Sequence, residues 1–402
     1  VGALLTAAPG IYNERYIISP KQFEYTNTAY ALMDAHVDTG TVHHDITFGF
    51  TGSGFLFLRG NDSPGTIIGS SNVEAPASIP VPVIPGYFDV LSRKSGQFLS
   101  NYLIGDQITF DPQWSALVGV NYAEIHAFGK TLPAGPQTLA PTSGNTYDYT
   151  QGQASPSASI IYKPLPKLSL YGSYIQGLAA GGTAPDTFSF NNVTKAVTNA
   201  GDQLGPSVNN QYEVGAKGTF GDLYLTAALF RIEKVNEETD PSDFVYKKSG
   251  QEVHQGLELT ATGKLTDDLT VVGGLTWLQA RIDQSKAIPA DDGKIPFGVP
   301  EQEARLYLEY AIPGIQNLIL SFGANYFGRR PVDTLNTGFI PDVTTFDAGL
   351  RYEPELWGRR TSFDLTVSNL FDKNYWGSVS DYGEGLLLGS PRIISFSARV
   401  SF

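Results

Sequence analysis

The residues that could do chemistry in this chain are few and widely spaced. His36, His43, His44, His126 and His254 are its only imidazoles. No second His or carboxylate recurs beside them at the spacing of a metal-ligand motif. Asp34, Asp38 and Asp45 spread along one segment without the Gly-containing loop of an EF-hand, and Ala290-Asp291-Asp292-Gly293 reads as a loop turn. Cys is absent, which excludes disulfides, thiolate metal sites and a Cys nucleophile. There is no P-loop, no Gly-x-Ser-x-Gly elbow and no dinucleotide fingerprint, and Gly52-Ser53-Gly54 lies inside an alternating strand. The chain is therefore read as carrying no catalytic residues, no resident metal and no cofactor. What remains is binding chemistry. Arg329-Arg330 leave one strand end together, and their guanidinium groups suit carboxylate or hydroxamate oxygens; phosphates or loop carboxylates would suit them as well. Tyr375, Trp376 and Tyr382 could wall an aromatic cup around such a ligand.

The elements that must position these groups show in a period of two. Phe402, Val400, Ala398, Phe396 and Ile394 alternate with Ser401, Arg399, Ser397 and Ser395, so one face of a strand is apolar and the other polar. Leu318 to Tyr326, Ala304 to Tyr310, Leu223 to Leu229, Phe346 to Tyr352 and Phe363 to Val367 repeat the pattern. Short turns such as Thr39-Gly40, Gly221-Asp222 and Pro313-Gly314 alternate with long polar loops near 59–95, 129–150, 178–206, 235–244, 284–299, 329–342 and 372–389.

Strands of a soluble sandwich run to about 5–6 residues, whereas these reach roughly 10–15. Outer-membrane barrels have this length, this alternation of short and long connections, and apolar side chains toward lipid. Glu303, Arg305, Asp347, Arg351, Asp364 and Arg399 fall on the polar face; a dry sandwich core could not hold them. The fold class is accordingly all-β, a transmembrane antiparallel up-and-down β-barrel. No stretch approaches the roughly 18 unbroken apolar residues of a membrane helix. With 27 Lys+Arg against 40 Asp+Glu the net charge is −13, which argues against nucleic acid as a partner.

About 15 strands can be counted from Tyr25 to Phe402, with residues 1–24 a loop or partial strand entering the barrel. An odd number does not close a single-chain bacterial barrel whose ends both lie on the periplasmic side. The expectation is that 25–402 is a barrel portion and that further strands precede Val1.

Val367-Ser368-Asn369-Leu370-Phe371-Asp372-Lys373-Asn374-Tyr375-Trp376, followed by Gly389-Ser390-Pro391-Arg392 and the alternating terminal strand, resembles the C-terminal signature of TonB-dependent outer-membrane receptors. Thr39-Gly40-Thr41-Val42-His43-His44 is similar to a hairpin of their ferric-siderophore branch, and Gln113 to Val120, Ser155 to Ser159 with Tyr171 to Tyr174, and Gln211 to Lys217 fit in order and spacing. The resemblance implies a 22-stranded barrel around an N-terminal plug, so that about seven strands, the plug and the energy-coupling box lie outside this sequence.

It also implies a function: import of a ferric siderophore or similar metal chelate across a Gram-negative outer membrane, driven by a TonB-type energy-coupling protein through the N-terminal region. Outer-membrane lipid and lipopolysaccharide would surround the barrel, and the C-terminus would be periplasmic. Plug arginines of such receptors pair with barrel glutamates, which makes Glu258, Glu301 and Glu303, with Arg305 beside them, candidate plug-facing residues. Pairing among these lumen charges themselves is the plainer reading. A passive porin-like channel and a structural barrel within a larger envelope assembly are the competing functions.

Overall fold

In the computed structural model, residues 2–5, 11–16, 22–59, 66–72, 80, 93–130, 146–190, 193–379 and 386–401 are described. Among them a single antiparallel sheet of 16 strands dominates. Fifteen are long: β1 (Gln22–Thr39), β2 (Val42–Arg59), β3 (Arg93–Thr109), β4 (Trp114–Lys130), β5 (Thr146–Leu165), β6 (Leu168–Ala179), β7 (Ser207–Phe220), β8 (Leu223–Asp240), β9 (Val245–Lys264), β10 (Leu269–Asp283), β11 (Gln302–Ala311), β12 (Leu318–Phe327), β13 (Val343–Tyr352), β14 (Arg359–Ser368) and β15 (Ile393–Val400). The other is the two-residue strand Glu355–Leu356 beside β14. Each long strand pairs with its neighbours in sequence, which places β1 and β15 at the two edges.

The register turns alternation within strands into rows across them. Leu269, Tyr310, Leu320, Leu350, Leu365 and Phe396 are successive cross-strand partners. On the opposite face Glu309, Ser321, Gly349, Thr366 and Ser395 form the matching polar row. Leu320 is 42% exposed, Leu365 40% and Phe396 67%. An apolar face left this open calls for a hydrocarbon surround rather than water.

Tight turns close one end of the sheet. Thr39 pairs with Val42 across Gly40, whose φ of 70° is available to glycine at no steric cost. Trp357 (φ 54°) and Gly358 (φ 71°) make the corresponding turn between Leu356 and Arg359.

At the other end, several connections are structured among the described residues. Residues 235–244, expected as loop, instead continue β8 and β9 past their neighbours as a paired hairpin to Asp240 and Val245, with one register shift between Val235 and Glu237. Nothing in Glu237-Glu238-Thr239 breaks a strand, and the turn falls on Pro241–Phe244. Thr187–Phe190 pairs with Val193–Ala196, and Trp376–Val379 with Leu386–Leu388. Gly2–Leu5 and Ile11–Tyr16 form a small sheet with Thr66–Asn72, apart from the large one, and β1 begins at Gln22 rather than Tyr25.

The resemblance-bearing motif Ser368-Asn369-Leu370-Phe371-Asp372 proves to be a turn lock. Asn369 is buried with φ 49°. Its Nδ2 donates to the carbonyls of Lys373 and Ser390, at 2.9 and 3.0 Å, while its Oδ1 accepts the Lys373 amide at 2.9 Å. Asp372 then accepts the Arg392 amide at 3.0 Å, so one turn fixes where β15 begins.

Candidate functional site

The best-buried part of the described molecule is a knot of loops at the end opposite the tight turns. Ala280 and Ile282 at the end of β10, Ala287 and Ile288 in the following loop, Pro331 and Ile340 before β13, and Val343 at its start are its buried apolar residues. Asn336, at φ 58°, joins two loops as a strand partner would: its Oδ1 accepts the Ile295 amide at 2.9 Å and its Nδ2 donates to the Ile295 carbonyl at 2.8 Å. Ser249 Oγ accepts the amides of Lys286 and Ala287 at 3.1 and 3.0 Å, and Ser285 Oγ donates to Glu238 at 2.7 Å. The projecting hairpin is thereby tied to the loop after β10.

Asp291 sits inside the knot, 2% exposed, with no hydrogen-bond partner for Oδ1 among the described residues. Burial, reinforced by the nearby charges of Glu238 and Asp333, raises its carboxyl to about 6; a hydrogen bond from Thr334 and the charge of Lys294 act the other way. The sequence gives no hint of this, since Ala-Asp-Asp-Gly has the composition of a solvated turn.

The expected ligand-facing residues take different positions. Arg330 is buried and donates from Nη1 to the Gly377 carbonyl at 2.9 Å and from Nη2 to the Trp376 carbonyl at 3.1 Å. Its guanidinium lies 5.7 Å from the Phe327 ring centroid. Arg329 is exposed and stacks over Phe339 at 5.0 Å. The two arginines thus diverge: one ties a hairpin down, the other faces solvent. The Tyr375 ring lies against Gly389, leaving no room for a side chain there, and the Tyr375 carbonyl accepts the Gly389 amide at 2.8 Å. Trp376 is 40% exposed. Tyr382 lies outside the described residues. Arg330, Tyr375 and Trp376 are brought together at one hairpin, with Arg329 beside them.

Among the expected plug-facing residues, Glu303 pairs with Arg305 at 2.6 Å and Glu301 with Arg281 at 3.3 Å. Glu258 is exposed, without an ion pair or side-chain hydrogen bond among the described residues. It shares a polar row with Thr276 and Glu303. Further along that face, Arg351 meets Glu309 at 3.0 Å and Asn325 donates to Asp347 at 3.0 Å. A wet, charged surface lines the sheet opposite its apolar face. It can bind and orient a polar ligand or a protein segment.

The model of the family described as TonB dependent receptor-like, beta-barrel matches residues 5–370. The ferrichrome receptor FcuA of Yersinia enterocolitica is 26% identical over 91% of this chain and 47% of its own length. The probable TonB-dependent siderophore receptor PiuA of Acinetobacter baumannii is 29% identical over 69% of this chain and 37% of its own. Among solved structures, BauA, the ferric preacinetobactin receptor from A. baumannii, superposes with a TM-score of 0.79 at 22% identity, covering 100% of this chain and 57% of that one. PiuA superposes with a TM-score of 0.75 at 21% identity, over 97% and 57%. The chain spans about half the length of the relatives it matches.

Proposed function

Because the chain belongs to the TonB-dependent receptor β-barrel family, we propose that it is the barrel portion of a receptor that imports a ferric siderophore, or a similar metal chelate, by energy-coupled transport. The family is one of Gram-negative outer-membrane receptors and transporters, not of enzymes. One observation carries the reading to this chain: a sheet apolar on one face and charged on the other ends in a hydrogen-bonded knot of loops. Lipid faces the first surface, and lipopolysaccharide meets its outer margin. The plug and about seven further strands, supplied from outside this sequence, complete the barrel across the edges of β1 and β15, and the C-terminus is periplasmic. A TonB-type partner couples through the N-terminal region.

In this proposal Arg329, Trp376 and Tyr375 face the chelate, Tyr382 is a further ligand-binding candidate from the sequence, and Arg330 holds the Trp376 hairpin in place. Glu258, free of a partner within the sheet, is the first candidate for a plug arginine, with Glu301, Glu303 and Arg305 around it. The names of the relatives suggest ferrichrome and ferrioxamine B as first probes. Saturable quenching of Trp376 fluorescence by either ferric chelate, lost in Trp376→Phe, is the expected result. Absence of binding to any ferric chelate, together with steady conductance in planar bilayers, would favour a passive channel instead.

A further inference from the structure

The ends of β1 and β2 beside the Gly40 turn bring together side chains that lie apart in sequence. His36 stands opposite Asp45 and Asp38 opposite His43, all on the polar face. Asp45 Oδ1 lies 2.6 Å from His36 Nδ1 and 3.2 Å from His43 Nε2. The ligand atoms of His36, His43 and Asp45 are all within 4.8 Å of one another. The two imidazole rings are stacked, 5° from parallel with centroids 6.3 Å apart. On its far side, His43 Nδ1 meets Asp38 Oδ1 at 2.7 Å.

We propose that His36, His43 and Asp45 form a binding site for a divalent transition-metal cation of the zinc class, with Asp38 as the positioning residue that orients His43. Two imidazoles and one carboxylate are ligands such cations take, leaving a coordination position for water. Bonds of about 2.0–2.2 Å put tetrahedral ligand atoms roughly 3.3–3.5 Å apart. The His43–Asp45 separation is already close to that; His36 must withdraw from Asp45 by less than about 1 Å, and the two imidazole nitrogens, within 4.8 Å of each other, must settle at the same spacing. A carboxylate on the other ring nitrogen of a metal-bound His fixes its tautomer and raises its basicity, which is the part Asp38 is placed to take. His44 is not in this set. It projects from the opposite face, held by Asp106 at 2.7 Å and Thr39 at 2.8 Å, so the sequence pair His43-His44 is not itself the chelate.

The test is calorimetric titration of the purified full-length receptor in detergent with ZnCl2 and with NiCl2. One cation per chain is expected. His36→Gln and His43→Ala should each weaken binding at least tenfold, and His126→Ala, far along the sheet, should leave it unchanged. Asp38→Asn should weaken it by about 10–100-fold while heat-modifiable gel migration stays that of the parent, which separates orientation of a ligand from loss of fold. X-ray absorption at the metal edge should show two imidazole ligands. Failure to saturate, or undiminished binding in the His36→Gln/His43→Ala double variant, would overturn the proposal. Because the cluster lies at the end of the sheet opposite the loop knot, its failure and that of chelate uptake are separately visible.

Discussion

Arg330 holds the Trp376 carbonyl at 3.1 Å from a buried position, so a basic residue of the loop before β13 fixes an aromatic residue of the loop before β15. The same fork holds Gly377 at 2.9 Å. The charge thus acts on the Trp376 hairpin through its backbone.

Arg330→Ala leaves two carbonyls without their donors, at a cost of about 1–3 kcal/mol each where they stay buried. Faster amide exchange in 376–379 and 386–388 is expected, with the long strands unaffected. Arg330→Lys should recover less than half of the loss, because a single ammonium cannot reproduce a two-pronged donor.

Arg329→Ala is the contrasting case. Arg329 is exposed over Phe339 at 5.0 Å, a contact worth about 0.5–1 kcal/mol at an exposed site. Stability should barely change, while affinity for an anionic ferric chelate should fall several-fold. Thermal melting and fluorescence titration read the two effects separately.

Asp291 predicts a pH dependence confined to the knot. Burial, with Glu238 and Asp333 adding to it, holds the carboxyl at about 6 against an ordinary 3.8. A raised acid retains in the folded state a proton that the unfolded chain releases. The knot is therefore most stable below about pH 4, weakens as pH rises to about 6, and is level above. Asp291→Asn should stabilise the knot by on the order of 2–3 kcal/mol at pH 7–8 and by less than about 1 kcal/mol at pH 4, measured by hydrogen exchange of residues 285–295.

Leu365 and Thr366 are sequence neighbours on opposite faces of β14, opposite Phe396 and Ser395 respectively. Leu365→Lys puts a charge on the apolar face at about 2–4 kcal/mol near the bilayer midplane, whereas Thr366→Lys adds one to the wet face. The first should deplete the heat-modifiable species in outer-membrane fractions, and the second should leave it near the parental level.

Strands were legible wherever side chains alternate and Gly or Pro marks the turn, as in β12 through β15. They were not legible at Glu237-Glu238-Thr239, because a strand that rises clear of the bilayer needs no apolar face and its polar residues resemble loop. The arginine pair was visible, but not its division of labour, since backbone carbonyl acceptors leave no mark in a sequence. His36, Asp38, His43 and Asp45 were visible only as scattered residues. Cross-strand register makes positions nine and five apart into neighbours, and no linear spacing rule detects that. Glu258 and Glu303 could be assigned to the polar face from alternation; that one is paired and the other not depends on which cation the neighbouring position offers.

Every long strand of the sheet pairs with the next long strand in the chain, from β1 through to β15. Such pairing is sequential, and the entropy of closing each ladder is that of a hairpin or a single loop rather than of a long-range encounter. The sheet can therefore be laid down one hairpin at a time, each new strand docking onto an edge already formed. An interruption at any stage would leave a shorter sheet with the same two kinds of face, and not a different fold.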